Sequence, residues 1–202
     1  MQNPTEREKK VDVNMRSIIQ QNMREHVVLF QKVMETDYVD KMIEAAECIL
    51  HAMQTGHKIL IAGNGGSAAD AQHMAAELVV RFEKEREGYP AIALTTDTSI
   101  LSAGGNDYGF DAVYERQIQA LGFERDVFVA ISTSGNSENI IRAARMAVNK
   151  RMKVIGMTGR DGGRVKTLCD IVLCVPHERT ARIQEIHEHT IHTLCQIIEQ
   201  SM

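Results

Sequence analysis

From residue 58 onward, short runs of apolar residues alternate with longer stretches in which apolar residues recur every three or four positions. The short runs are Lys58–Ala62, Ala91–Thr95, Asp126–Ser132, Lys153–Met157 and Ile171–Val175. Nearly continuous apolar runs are typical of parallel strands covered on both faces, and the stretches 67–81, 111–121, 138–150 and 180–202 have the period of a helix. The alternation predicts an α/β fold of three layers, αβα, with a five-stranded parallel sheet in the middle.

Two amphipathic helices are predicted before this alternation. The first carries apolar residues at helical spacing from Met15 to Val33, and the second runs from about Tyr38 to Thr55, with Gly56 at its end. No stretch rich in Pro, Gly or Ser divides the chain, so we predict one domain over residues 1–202. Because a long amphipathic helix outside a sheet layer needs a partner for its apolar stripe, we expect residues 1–56 to pack on the core and on neighbouring subunits.

Charge and composition exclude several functional classes. The 202 residues include 23 Lys and Arg against 27 Asp and Glu, and aromatic residues are 4% with no Trp, which argues against a nucleic-acid partner. No apolar run is long enough to span a membrane, and Met1–Lys10 shows no apolar signal-peptide core. Four cysteines lack metal-type spacing and have apolar neighbours, at Cys48, Cys169, Cys174 and Cys195. They are expected to be buried thiols of a cytoplasmic protein.

Two polar loops follow predicted strands and lead straight into helices. The first, Gly63–Ser67, holds three glycines that let the backbone approach a ligand, although a tight turn also needs glycine. The second, Ser132–Ser137, supplies four hydroxyls and a glycine at a helix start, where capping needs one hydroxyl. Neither loop has the spacing of a Walker A or dinucleotide motif. The loops therefore predict a site for a small phosphorylated metabolite.

Ionisable residues at helical spacing are the second candidate feature. His73 and Glu77 lie four residues apart on the helix after the first loop, and Arg81 is expected one turn later on the same face. On the last predicted helix, His192 lies on the side that carries Gln184. An imidazole beside a carboxylate can transfer protons or bind a metal ion, but such a pair is also a common structural contact. Spacing alone leaves these roles open.

Several separated blocks of the sequence resemble the sugar isomerase (SIS) family. They are Gly63–His73, Ala76-Glu77, Asn106-Asp107, Ser132–Ser137, Thr158-Gly159 and Ala181–Glu185. Within that family the chain is most similar to members that convert sedoheptulose 7-phosphate to D-glycero-D-manno-heptose 7-phosphate, an aldose–ketose isomerisation. That reaction begins the synthesis of the ADP- or GDP-heptose used in cell-surface glycans such as lipopolysaccharide.

The resemblance also implies roles for individual residues. Glu77 is implied as the base and His192 as the acid. Substrate contacts are implied at Asn64, Gly65, Gly66, Ser67, Glu77, Arg81, Asn106, Asp107, Ser132, Thr133, Ser134, Ser137 and Gln184. One zinc ion per subunit is implied at His73, Glu77, Gln184 and His192. The family further implies a homotetramer whose sites draw residues from neighbouring subunits.

Three other functions stay open. The same family includes a protein that binds the replication initiator DnaA, keeps the fold and lacks both the acidic and the imidazole residue. The presence of Glu77 and His192 favours the isomerase over that protein. A sugar-phosphate sensor is disfavoured because no helix-turn-helix pattern precedes the domain and the chain is acidic. A hexose or pentose phosphate is a further possible substrate, since a phosphate-binding loop does not fix chain length.

Overall fold

The computed structural model describes residues 6–202, with side chains from residue 14 onward. The helices are α1 (Glu6–Met34), α2 (Tyr38–Gln54), α3 (Gly66–Val79), α4 (Thr98–Tyr108), α5 (Val113–Leu121), α6 (Glu138–Asn149) and α7 (Thr180–Ser201). The strands are β1 (Ile59–Ala62), β2 (Ala91–Ala93), β3 (Val127–Ser132), β4 (Lys153–Gly159) and β5 (Ile171–Val175). Short 3-10 helices cover Phe110–Ala112 and Arg164–Leu168. The prediction that Met1–Lys10 has no signal-peptide core concerns residues whose side chains lie outside the described part of the chain.

All five strands are parallel, in the order β2-β1-β3-β4-β5, and helices flank the sheet. The predicted fold class is therefore confirmed. From β1 the chain crosses first to β2 on one side and then to β3 on the other. The loops that follow β1 and β3 consequently flank the crevice at which ligands bind in open parallel sheets.

The two faces of the sheet carry separate apolar cores. Alternate residues of β3 divide between them, with Val129 packed among α2, α3 and α7 and Phe128 packed among α5 and α6. Both side chains are almost completely buried, as expected for a strand covered on both sides. Because α3 and α7 share one face, polar residues on their adjoining sides can meet.

Two helical predictions need correction. The helix α4 was not predicted, because it contains Gly104 and Gly105 and none of its side chains is buried in the described part of the chain, so it has no apolar period. Its start is fixed by Asp97, whose side chain accepts a hydrogen bond from the backbone of Ile100 at 2.9 Å. In addition, α3 ends at Val79, so Arg81 does not continue the helical face of His73 and Glu77.

The cysteines are free among the described residues, but they are less buried than predicted. Cys195 is buried, whereas Cys48, Cys169 and Cys174 are only partly buried. Burial raises the pKa of both Cys169 and Cys195 to about 12, so neither thiol supplies a thiolate nucleophile near neutral pH.

Helix α1 leaves a stripe of apolar side chains exposed. Met15, Ile18, Ile19, Met23 and Val27 are between 51% and 65% exposed. No helix in the described part of the chain has the length and apolar character needed to cross a membrane. The stripe is therefore an apolar surface that no described residue of the single chain covers.

One buried histidine makes the stability of the fold depend on pH. His187 on α7 is fully buried, and its Nε2 donates to the carbonyl oxygen of Thr158 on β4 at 3.0 Å. Burial lowers its pKa to about 4, although the hydrogen bond opposes the shift. Because the unfolded chain takes up this proton near pH 6.5 and the folded chain only near pH 4, stability is complete above pH 6.5 and falls as the pH is lowered.

We expect this histidine to remove about 2 kcal/mol from the free energy of unfolding between pH 7 and pH 5. Urea unfolding of the wild type and of His187→Gln, at fixed protomer concentration, measures the effect. The Gln variant keeps an N–H donor but does not titrate, so its stability should change less over this range. Identical pH dependences for the two proteins would show that His187 is not responsible.

Candidate active site

The loops after β1 and β3 are held together by a reciprocal pair of amide hydrogen bonds. Nδ2 of Asn64 donates to Oδ1 of Asn139, and Nδ2 of Asn139 donates to Oδ1 of Asn64, both at 2.9 Å. The buried hydroxyl of Tyr114 donates to the carbonyl of Gly63 at 2.8 Å. These contacts fix the two loops relative to each other. Asn139 was not predicted, although a polar residue on the buried side of α6 is a usable signal.

The hydroxyl-rich loop is not explained by helix capping. Ser137 is the N-cap residue of α6, but among the described residues its side chain makes no capping hydrogen bond. Its Oγ instead lies 3.2 Å from Oγ of Ser132, and Oγ of Ser134 accepts from the backbone of Asn136 at 3.1 Å. Thr133 and Ser134 are half-buried. The loop therefore gathers hydroxyls at the start of a helix, an arrangement suited to an anion.

The glycine loop brings α7 against the start of α3. Gly65 has a φ of +57°, which favours glycine. A Cβ on Gly66 would lie 2.4 Å from Nε2 of Gln184. The amide group of Gln184 therefore occupies the space that a side chain at residue 66 would need. Ser67 is buried at the first turn of α3. Of the predicted substrate contacts, Asn64, Gly66, Ser67 and Gln184 thus cluster around the two loops.

Two turns further along α3, the predicted acid and base meet at one imidazole. Nε2 of His73 lies 3.0 Å from Oε1 of Glu77 and 3.3 Å from Nε2 of His192. The ring centroids of His73 and His192 are 4.9 Å apart and the two rings are nearly perpendicular, and the ring centroid of Phe82 lies 5.8 Å from that of His192. Glu77 and His192, which are 115 positions apart in the chain, therefore lie at a single site.

A possible metal-binding group includes two of the four predicted ligands. Ligand atoms of His73, Glu188 and His192 all lie within 4.8 Å of one another. Facing imidazole nitrogens beside carboxylates are a donor set that zinc accepts, so these residues fit a divalent ion. Gln184 lies two turns before His192, about 12 Å along α7. Glu188 was not predicted, although its position one turn before His192 was a signal for it.

Asp70 is a second acidic residue that the sequence did not single out. It lies on α3 one turn before His73 and is buried, and its Oδ2 has no hydrogen-bond partner among the described residues. Burial raises its pKa to about 6, the negative charge of Glu188 adds to the shift, and His73 opposes it. Asp70 is therefore a third carboxyl group close to the imidazoles, in addition to Glu77 and Glu188.

Three predicted substrate contacts stay exposed in the single chain. Arg81 lies beyond the end of α3 and contacts Glu85, with 3.8 Å between Nε and Oε2. Asn106 and Asp107 lie on the exposed helix α4, where Nδ2 of Asn106 donates to Oδ1 of Asp107 at 2.8 Å. Their roles remain predictions.

The sequence profile of the SIS domain matches residues 23–159. The chain belongs to the SIS domain family. Among SIS proteins, the phosphoheptose isomerase of Trichlorobacter lovleyi is 49% identical over 188 residues, covering 93% of this chain and 95% of the relative. The phosphoheptose isomerase of Neisseria gonorrhoeae is 55% identical over 164 residues, covering 80% and 83%.

Solved SIS structures agree with the sequence comparison. The phosphoheptose isomerase of Neisseria gonorrhoeae superposes with a TM-score of 0.87 at 46% identity, covering 92% of this chain and 99% of that one. The enzyme of Francisella tularensis gives a TM-score of 0.88 at 38% identity, covering 91% and 97%. The predicted resemblance is confirmed, and within the SIS family the chain falls among the phosphoheptose isomerases.

Proposed function

We propose that this chain is an aldose–ketose isomerase that converts sedoheptulose 7-phosphate to D-glycero-D-manno-heptose 7-phosphate. The observation that carries the proposal is the convergence of Glu77 and His192 on Nε2 of His73, at 3.0 and 3.3 Å. The names of relatives that are 49% and 55% identical support the same activity. The DnaA-binding alternative is not favoured, because the family protein with that role lacks the acid and the base.

The two loops would hold the phosphate of the substrate. Hydroxyls of Ser132, Thr133, Ser134 and Ser137 supply donors, together with backbone amides at the start of α6. From Gly66 to His73, α3 rises by about 10 Å, a span that an extended seven-carbon sugar phosphate can bridge. Binding energy at the phosphate would then place C1 and C2 beside the acid and the base.

The reaction moves one proton between two carbons and leaves the enzyme unchanged. Glu77 removes a proton from C1 of the ketose, and His192 gives a proton to the oxygen on C2, which forms an enediol. His192 then takes the proton from the oxygen on C1, and Glu77 returns its proton to C2. We infer that zinc, held among His73, Glu77, Gln184 and His192, would supply a Lewis acid that polarises the carbonyl.

We further propose a homotetramer of single SIS domains. The exposed apolar stripe of α1 supports a subunit contact by residues 1–56. Exposure of Arg81, Asn106 and Asp107 supports sites completed by a neighbouring subunit. The four free cysteines support a reducing compartment, the cytoplasm.

The activity is tested by incubating purified protein with sedoheptulose 7-phosphate in deuterium oxide. We expect the heptose 7-phosphate product to form with deuterium at C2, because the proton on the base exchanges with solvent. Nuclear magnetic resonance of the sugar follows both the conversion and the label. Fructose 6-phosphate and ribulose 5-phosphate serve as shorter comparison substrates. Preferred turnover of either one, or no exchange with any of the three sugars, would contradict the proposed substrate.

A further inference from the structure

Glu188 reaches from α7 to the imidazole pair of the site. Its Oε1 lies 2.7 Å from Nδ1 of His73 and 3.5 Å from Nε2 of His192. The side chain is 37% exposed, so it is partly withdrawn from water. None of the proposed steps of proton transfer or phosphate binding uses this carboxylate.

The two ring nitrogens of His73 face different partners. Nε2 faces Glu77 and His192, whereas Nδ1 faces Glu188. A neutral imidazole carries its proton on one nitrogen and offers a lone pair on the other. When a histidine binds a metal ion, its other N–H usually contacts a carboxylate or a carbonyl, which fixes the tautomer and orients the ring.

We propose that Glu188 is a positioning residue that holds the proton of His73 on Nδ1 and so directs the Nε2 lone pair toward Glu77 and His192. This inference rests on the metal site proposed above. In this arrangement Nε2 of both histidines and Oε1 of Glu77 form the inner donor group. Glu188 contacts His73 on the opposite ring nitrogen, Nδ1, and increases the affinity of His73 for the ion.

The charges around Glu188 favour this role over that of a surface ion pair. Burial raises the pKa of Asp70 to about 6, and the negative charge of Glu188 adds to the shift. Two negative charges near each other repel, which is unfavourable unless a positive charge lies close to them. A divalent ion bound by His73 and His192 would offset that repulsion.

The test compares zinc affinity in the full-length wild type, Glu188→Gln, Glu188→Leu and the control Glu185→Gln, by competition with a chromophoric chelator. Glu185 lies on the same helix but contacts His26 and Arg182 instead. We expect Glu188→Leu to bind zinc about 10- to 100-fold more weakly. Glu188→Gln, which keeps an acceptor oxygen, should lose less, and the control should bind like the wild type.

A cobalt spectrum separates positioning from direct ligation. At saturating Co²⁺ we expect the same visible absorption for the wild type and Glu188→Leu, because the ligands are unchanged. Altered band intensity would make Glu188 a ligand and overturn the proposal, as would equal zinc affinity in all variants. Failure of the wild type to bind zinc would overturn the metal site and this inference with it. The separate deuterium assay would still decide whether the chain is an isomerase.

Discussion

Replacing Glu77 with Gln is expected to lower kcat for the isomerisation by about 10³-fold, with a small change in KM. Gln has nearly the same size and can keep the contact with Nε2 of His73. It cannot accept a proton from C1, so the step that begins the reaction loses its base. In the proposed binding mode the loops after β1 and β3 would hold the phosphate, and this substitution does not change them. Steady-state kinetics with sedoheptulose 7-phosphate measure both constants.

The experiment needs a control for metal content, because Glu77 is also a predicted ligand. Turnover should therefore be measured at saturating zinc, with the bound metal quantified in each protein. Glu124→Gln is a matched control, since Glu124 is exposed and pairs with Arg151 away from the site. If metal-loaded Glu77→Gln turned over within about tenfold of the wild type, Glu77 would not be the base.

The strands could be predicted because burial on both faces leaves a simple signal. The run predicted at Ile171–Val175 has the same bounds as β5. The runs predicted for β1 and β3 begin one residue before the strands do. In contrast, α4 has no fully buried residue, and only Leu101, Gly104 and Gly105 are partly buried, so no apolar period marks it. Hydrophobic periodicity in a sequence reflects burial, so a helix without fully buried side chains cannot be predicted from it.

The candidate site was predicted in part. Its loops are local features of the sequence, and His73 with Glu77 is a local pair. The approach of His192 to His73 depends on how α3 and α7 pack, so spacing could not establish it. Glu188 and Asn139 were missed because each contacts a residue on another element. Their partners are visible only after the sheet has brought these elements together.

Replacing Gly135 with Ala is expected to lower the free energy of unfolding by about 4 kcal/mol, by combining backbone strain with overpacking. Gly135 has a φ of +64°, and a Cβ there would lie 2.0 Å from the carbonyl oxygen of Gly162. That oxygen is backbone and cannot swing aside as a side chain does. The backbone of Gly135 also donates to Ser132 and accepts from Val165, both at 2.9 Å. A shift of this residue would therefore disturb the hydroxyl-rich loop, Ser132–Ser137.

A matched variant separates the two causes. Gly56 also has a positive φ, of +81°, but no described atom lies within 4 Å of its added Cβ. Gly56→Ala should therefore cost only the strain, about 1 kcal/mol. Urea unfolding at fixed protomer concentration compares the two, and titration with inorganic phosphate tests whether Gly135→Ala also weakens the loop as an anion site. Equal losses of stability in both variants would mean that the close approach of Gly135 to Gly162 contributes nothing to the cost of the substitution.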